Sequence, residues 1–415
     1  MTGKKVTGDT IAFKFNYDLP AGVYRLYISD SVFIDYIIAR DHDIRMRTTA
    51  DAFSDSLRVI KGDDNIKYYD YIAFRNTGLK KLSELTLLIK PDGTKKTNPL
   101  AGERISFLEG CITYKIKKFA DSLIVVDTSA FVSKLIKAQL VPNLNIEMLE
   151  HSDCKFYNNT IEFLLFHFFD NIDFSDARFL NTEIFYRTVK YYIEELVLPR
   201  NVTGFNYGNE FILKKAAANL EVRRYVLSVL FGLYEYSQLE DVYLDLYDNY
   251  LSKDTLAVTS VRLKEIKQKI EIIKKLSQGN IAPEISGKDT LGNEINLSSV
   301  KAEIIVLFLW MPGNKHSEEA MVQLGDIYTK YKEYGLEVYS FALDSSAATW
   351  KKSLQVIKQG WIDVSDLKGS QSPVCNNYNT WSLPGIYILD ENRKISVKPM
   401  NMDYVKTEFG KYDKK

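Results

Sequence analysis

Cysteine, histidine, serine and clustered carboxylates are the side chains here whose chemistry could amount to a site. The cysteines are Cys111, Cys154 and Cys375. They are far apart and odd in number, so no CxxC pair, zinc spacing or disulfide framework can be written from them. Small buried thiols are the expectation. His42, His151 and His167 are scattered, and His167 lies in FLLFHFFD, where a packed histidine is expected rather than a ligand. Asp170, Asp173 and Asp176 crowd the loop FFDNIDFSD. That loop lacks the glycine and terminal glutamate of an EF-hand. Asp173 and Ser175 are expected to cap the turn that follows.

One stretch is built like a reaction site. VLFLWMPGNKHSEEAMVQL, residues 306–324, reads as a buried strand, a sharp turn and a helix start. The turn presents Asn314, Lys315, His316 and Ser317. Ser317 and His316 are nucleophile and base by type. Adjacent helical residues point about 100° apart, so they form no dyad, and no third orienting group is evident. The N–H groups of the helix start, with Lys315 nearby, are the material of an anion site. Asn314 is a good N-cap, its side-chain oxygen suited to a backbone N–H. A capped, solvated helix end is the expectation.

The elements around this stretch fall into three parts. IAFKFNY, VYRLYI and FIDYIIA are rich in β-branched and aromatic residues and predict a small antiparallel β module over residues 1–64. From residue 65 to 278 apolar residues recur at three- and four-residue spacing, which predicts a helical domain with a turn at Pro91-Asp92-Gly93. SVRLKEIKQKIEIIKKLSQGN closes it, with lysines before Gly279 as a helix C-terminus should have. No fixed period marks a solenoid. Residues 279–415 change pattern: a hairpin in DTLGNEINL, the apolar strand IIVLFLW, a helix, the strand LEVYSFAL, a helix, and a closing hairpin in GIYILDENRKISV. That order predicts an α/β sheet with parallel centre strands and a terminal antiparallel pair. The fold class is therefore α+β and multi-domain.

Composition sets outer limits. The 415 residues exceed one ordinary core. Basic and acidic residues both number 54, a balance that argues against a nucleic-acid binder. No run approaches the ~20 apolar residues that span a bilayer. MTGKKVTGDTIAFKF lacks an apolar export core, as would a chain whose export signal had been removed. The 27 tyrosines and 22 phenylalanines are spread along the chain, which predicts packing rather than a ligand platform. Asn158 and Asn201 match the N-glycosylation pattern.

Three landmarks carry a family resemblance. Asn280-Ile-Ala-Pro283 precedes Asp289-Thr-Leu-Gly292-Asn-Glu-Ile-Asn-Leu297. The strand Ile304–Trp310 runs into Met311-Pro312 and a helix. Leu383-Pro384 precedes Gly385–Asp390. In this order they resemble the thioredoxin fold, in its TlpA/ResA and AhpC/TSA branch of exported thiol–disulfide proteins. The resemblance covers residues 279–415. LPAGVYRLYI and FFDNIDFSDARFLNTEIFYRTVKYYI extend it to the domains that precede this unit in cell-envelope relatives. It implies a cis peptide before Pro384, with a backbone edge that pairs with an extended peptide. It also implies a CxxC turn. Aligned on Pro312 and His316, the two cysteine positions fall on Asn314 and Ser317, and neither side chain can exchange a disulfide.

The expected function is a non-catalytic binding or scaffold protein of the bacterial cell envelope. Its partners would be proteins, met through Trp310, Pro312, Lys315, His316, Leu383 and Pro384, with no cofactor or metal. The resemblance also implies a periplasmic or outer-membrane-associated location, with a lipid anchor on a removed N-terminal segment as one form of attachment. The alternative is a thiol–disulfide oxidoreductase or peroxidase that uses Cys375 at an atypical site.

Overall fold

The computed structural model describes residues 2–6, 10–14, 18–27, 29–30, 32–41, 43–49, 56–89, 99–144, 157–237, 239–356, 360–380, 382–399 and 401–412. His42, His151, Cys154 and the Pro91-Asp92-Gly93 turn lie outside them. The chain divides into two compact units, Met1–Leu230 and Phe231–Lys415.

The first unit opens with three antiparallel strand pairs: β1 (Thr2–Val6) with β2 (Thr10–Lys14), β3 (Gly22–Tyr27) with β4 (Phe33–Ile38), and β5 (Arg45–Arg47) with β6 (Arg58–Lys61). Two long helices follow, α1 (Asp63–Ile89) and α2 (Pro99–Ile124). Asn65, fully buried in α1, accepts from the Ile37 N–H at 2.8 Å and donates to its carbonyl at 2.9 Å. An amide side chain thus completes the β4 edge where a strand would otherwise be needed. The shorter helices α3 (Phe131–Lys137), α4 (Thr160–His167), α5 (Ile184–Tyr191) and α6 (Val202–Lys215) gather round buried Phe131, Phe163, Phe169, Phe179 and Phe185. The aromatic richness of this region is core packing, as its spread predicts.

Helix α6 lies in the region expected to be helical, yet its own pattern is weak, and its glycines explain why. NVTGFNYGNEFILKK carries two residues of poor helix propensity. A side chain at Gly204 would reach within 2.0 Å of the Pro199 carbonyl oxygen, and one at Gly208 within 2.7 Å of Val197. The helix is packed too tightly on residues 197–199 for any other residue type.

The second unit holds the end of α7 (Leu220–Tyr234), then α8 (Glu240–Asn249) and α9 (Ser260–Lys275). The hairpin β7 (Ser286–Lys288) and β8 (Glu294–Asn296) follows. A five-stranded sheet is ordered β11-β10-β9-β12-β13. β9 (Ile304–Trp310), β10 (Leu336–Ala342) and β11 (Ile362–Val364) run parallel; β12 (Gly385–Asp390) is antiparallel to β9, and β13 (Ile395–Val397) to β12. β9 is apolar at every position because the sheet has two covered faces. Val306, Phe308 and Trp310 join the cluster with α10 (Lys315–Tyr331) and α13 (Met402–Phe409). Ile305, Leu307 and Leu309 join the other, with Leu276, Ile285, Leu297 and Tyr378. Two further helices, α11 (Ala347–Val356) and α12 (Pro373–Asn377), complete the unit.

Candidate functional site

The site is the turn from β9 into α10 and the backbone beside it. Trp310 ends the central strand, and Asn314 donates its N–H to the Met311 carbonyl at 3.1 Å to close the turn. Gly313 sits at φ +78°, a conformation that favours glycine. Asn314 is the N-cap of α10, its Oδ1 accepting from the Ser317 N–H at 3.0 Å. Glu318 reaches back and accepts from the Gly313 N–H at 3.0 Å. The pair works as a capping box displaced by one residue. A carboxylate and an amide of the chain thus take up donors that an anion would need. Lys315 is largely exposed and lies 3.7 Å from Glu319, one helical turn along.

Ser317 and His316 diverge as the helix geometry requires. Ser317 is fully buried and its hydroxyl has no hydrogen-bond partner among the described residues, whereas His316 is exposed. The sequence reading puts Trp310 and Pro312 on a partner surface. Both are buried instead, since the last position of β9 and the turn proline close the core beneath α10. Met311, 41% exposed, takes that outward place.

The Leu383-Pro384 peptide is cis. Gly385 pairs with Leu309, which sets Pro384 abreast of Trp310 at the same end of the sheet. Lys315, His316, Met311, Leu383 and Pro384 therefore share one sheet end, the last two half-buried.

Cys375 lies in the short helix α12, half-buried against the apolar face of the sheet. Its thiol donates to the Gly369 carbonyl at 3.6 Å. Cys111 is a half-buried free thiol of α2 in the first unit.

The family-model match falls on the C-terminal part of the chain. The AhpC/TSA family model matches residues 278–398. The C-terminal domain is thioredoxin-like, of the TlpA/ResA type. The chain is 25% identical to a thiol-disulfide oxidoreductase ResA of Bacillus cereus over 124 residues, 30% of this chain and 70% of that protein. Among solved structures it is similar to a thioredoxin-like protein from Bacteroides caccae, with 20% identity, TM-score 0.47 and coverage of 61% of this chain and 92% of that one. It is also similar to a thiol:disulfide interchange protein from Bacteroides sp., with 26% identity, TM-score 0.31 and coverage of 34% and 90%.

Away from the turn, the acidic loop of the first unit is occupied by the protein's own cations. Lys134 Nζ lies 2.8 Å from Asp173 and 2.9 Å from Asp176, and Arg178 pairs with Asp176 at 2.5 Å. The hydrogen bonds from Arg178, strengthened by those from Lys134, hold the Asp176 carboxyl below the usual range despite its burial. Asp173 caps Ser175 as expected, while Asp176, not Ser175, caps the turn Ala177–Asn181. His167 stacks on Phe163 at 4.5 Å and bonds Tyr157 and Asp170, a packed histidine as its context predicts.

One titratable group has no counterpart in the sequence reading. Asp363, on edge strand β11, is pushed up to about 6 by burial, against the hydrogen bond from the Trp361 indole N–H at 2.9 Å. A three-residue strand is too short to show a period, so nothing in the pattern marks this carboxyl.

Proposed function

We propose that the C-terminal domain binds extended polypeptide at the sheet end formed by Met311, Lys315, His316, Leu383 and Pro384, and carries out no disulfide exchange there. The observation that carries this reading is the cap. Asn314 and Ser317 stand where the resemblance puts two cysteines; the first is committed to the helix end and the second is a buried hydroxyl. Thiol chemistry needs a thiolate poised at the helix N-terminus, and neither group supplies one. A backbone edge beside a fixed turn still pairs with an incoming strand.

Cys375 is poorly placed to substitute. It lies in α12, half-buried against the apolar face of the sheet, with its S–H directed at the Gly369 carbonyl oxygen. From the likeness to thiol–disulfide proteins of the cell envelope, we assign the protein to that compartment in a bacterium and its partners to the proteins found there.

Two measurements on the full chain test this. Reduction of insulin disulfides by dithiothreitol should proceed at the uncatalysed rate in its presence. Turnover that disappears when Cys111, Cys154 or Cys375 is replaced would overturn the reading. Reduced, carboxymethylated α-lactalbumin, an unfolded chain with blocked thiols, should bind saturably and lose affinity on Leu383→Asp. Sulfenic acid at Cys375 under mild peroxide would favour the redox alternative.

A further inference from the structure

Among the described residues, the α1–α2 pair of the first unit buries Tyr71, Ile116 and Ala120 towards one end and is open towards the other. Phe74 stacks on Phe119 at 4.3 Å, and a side chain at Gly78 would meet Ile112 and Ile116. These contacts fix the face of α2 that looks at α1. Among the described residues, none of 77–84 or 103–115 is buried, and Leu87 is 65% exposed. Two helices of this length are stable in water chiefly through tertiary packing, and here that packing is missing on the outer side.

The outer side of α2 has a pattern. At roughly 100° per residue, Phe107 and Tyr114 point about 140° and 160° away from Ile112. Phe107 is 70% exposed and Tyr114 42%. They flank Gly110, where a side chain would meet nothing within 4 Å. Glu103 lies one turn before Phe107 on the same stripe, and Lys118 one turn after Tyr114, with its ammonium 5.2 Å from the Tyr114 ring.

We infer that this stripe pairs with its equivalent on a second copy of the chain, antiparallel, about a two-fold axis between Gly110 and Cys111. The stripe is complementary to itself in that direction alone. Antiparallel pairing sets Phe107 of one copy opposite Tyr114 of the other and brings Glu103 beside Lys118. Parallel pairing would stack Glu103 on Glu103 and Lys118 on Lys118, like charges that destabilise such a contact. Gly110 lies at the crossing, where the absent side chain lets the two backbones approach. The pairing turns two open hairpins into a four-helix arrangement with a shared interior. It involves the first unit alone and stands whether or not the C-terminal domain binds peptide.

The full chain carrying Cys154→Ser and Cys375→Ser retains one thiol, Cys111, beside the proposed axis. Sedimentation should show concentration-dependent dimers, and a mild oxidant should link them through Cys111. Phe107→Glu with Tyr114→Glu should leave monomers with an unchanged helical spectrum. Glu103→Lys and Lys118→Glu should each weaken the dimer by roughly tenfold, and the two together should restore it. A chain that stays monomeric at high concentration overturns the proposal. So does a dimer indifferent to Phe107→Glu and Tyr114→Glu, or one whose charge reversals fail to compensate.

Discussion

Strand β9 and the distal half of the α1–α2 hairpin treat their apolar residues in opposite ways. Along β9, six of seven side chains are buried, because two neighbouring strands and a layer on each face enclose them. Along the hairpin, Leu79, Leu87 and Phe107 stand 48%, 65% and 70% exposed. The difference lies in the number of surrounding layers rather than in hydrophobicity. A central strand is closed off by its own fold; a two-helix arm has one covered side and needs a partner for the other.

Truncation of a large side chain should separate the two regions most sharply. Phe308→Ala, at a fully buried position of β9, should cost about 3–5 kcal/mol in denaturant unfolding of the C-terminal unit. Phe107→Ala should change the stability of the monomer by less than about 0.5 kcal/mol. Similar losses at both positions would break the comparison.

Asp363 sharpens it at the sheet edge. In the unfolded chain its carboxyl titrates near the ordinary value of about 4, whereas in the fold burial lifts it to about 6. The folded state holds the proton more tightly, so this contribution to stability is complete below about pH 4 and is lost as pH rises through 6. Asp363→Asn keeps an acceptor for Trp361 and removes the charge. It should raise stability by about 2 kcal/mol above pH 6 and leave it unchanged near pH 4. Equal effects at both pH values would show that the carboxyl is not strained by its surroundings.

The smallest effect belongs to the cap. Asn314→Ala should cost about 1 kcal/mol by freeing the Ser317 N–H. A loss of several kcal/mol would mean that the turn holds more of the domain together than its hydrogen bonds indicate.

Legibility in the sequence followed the same division. IIVLFLW coincides with β9 because an unbroken apolar run of strand length has one natural place, the middle of a covered sheet. The cap at Asn314 was readable because capping is local chemistry. β11 and α12 are three and five residues long, too short for a period, and α6 hides behind Gly204 and Gly208, whose role is set by distant packing. Helix α13 also goes unread, its start signalled only by Asn401. At the site, residue types indicated the cap at Asn314, yet the burial of Trp310 and Pro312 depended on how α10 lies over the sheet. A sequence cannot report that layer.

Ser317 carries a consequence of its own. An oxygen confined in an apolar interior without a partner costs about 1–3 kcal/mol, and sulfur, being far less polar, would cost less in the same space. Ser317→Cys should therefore raise the stability of the domain.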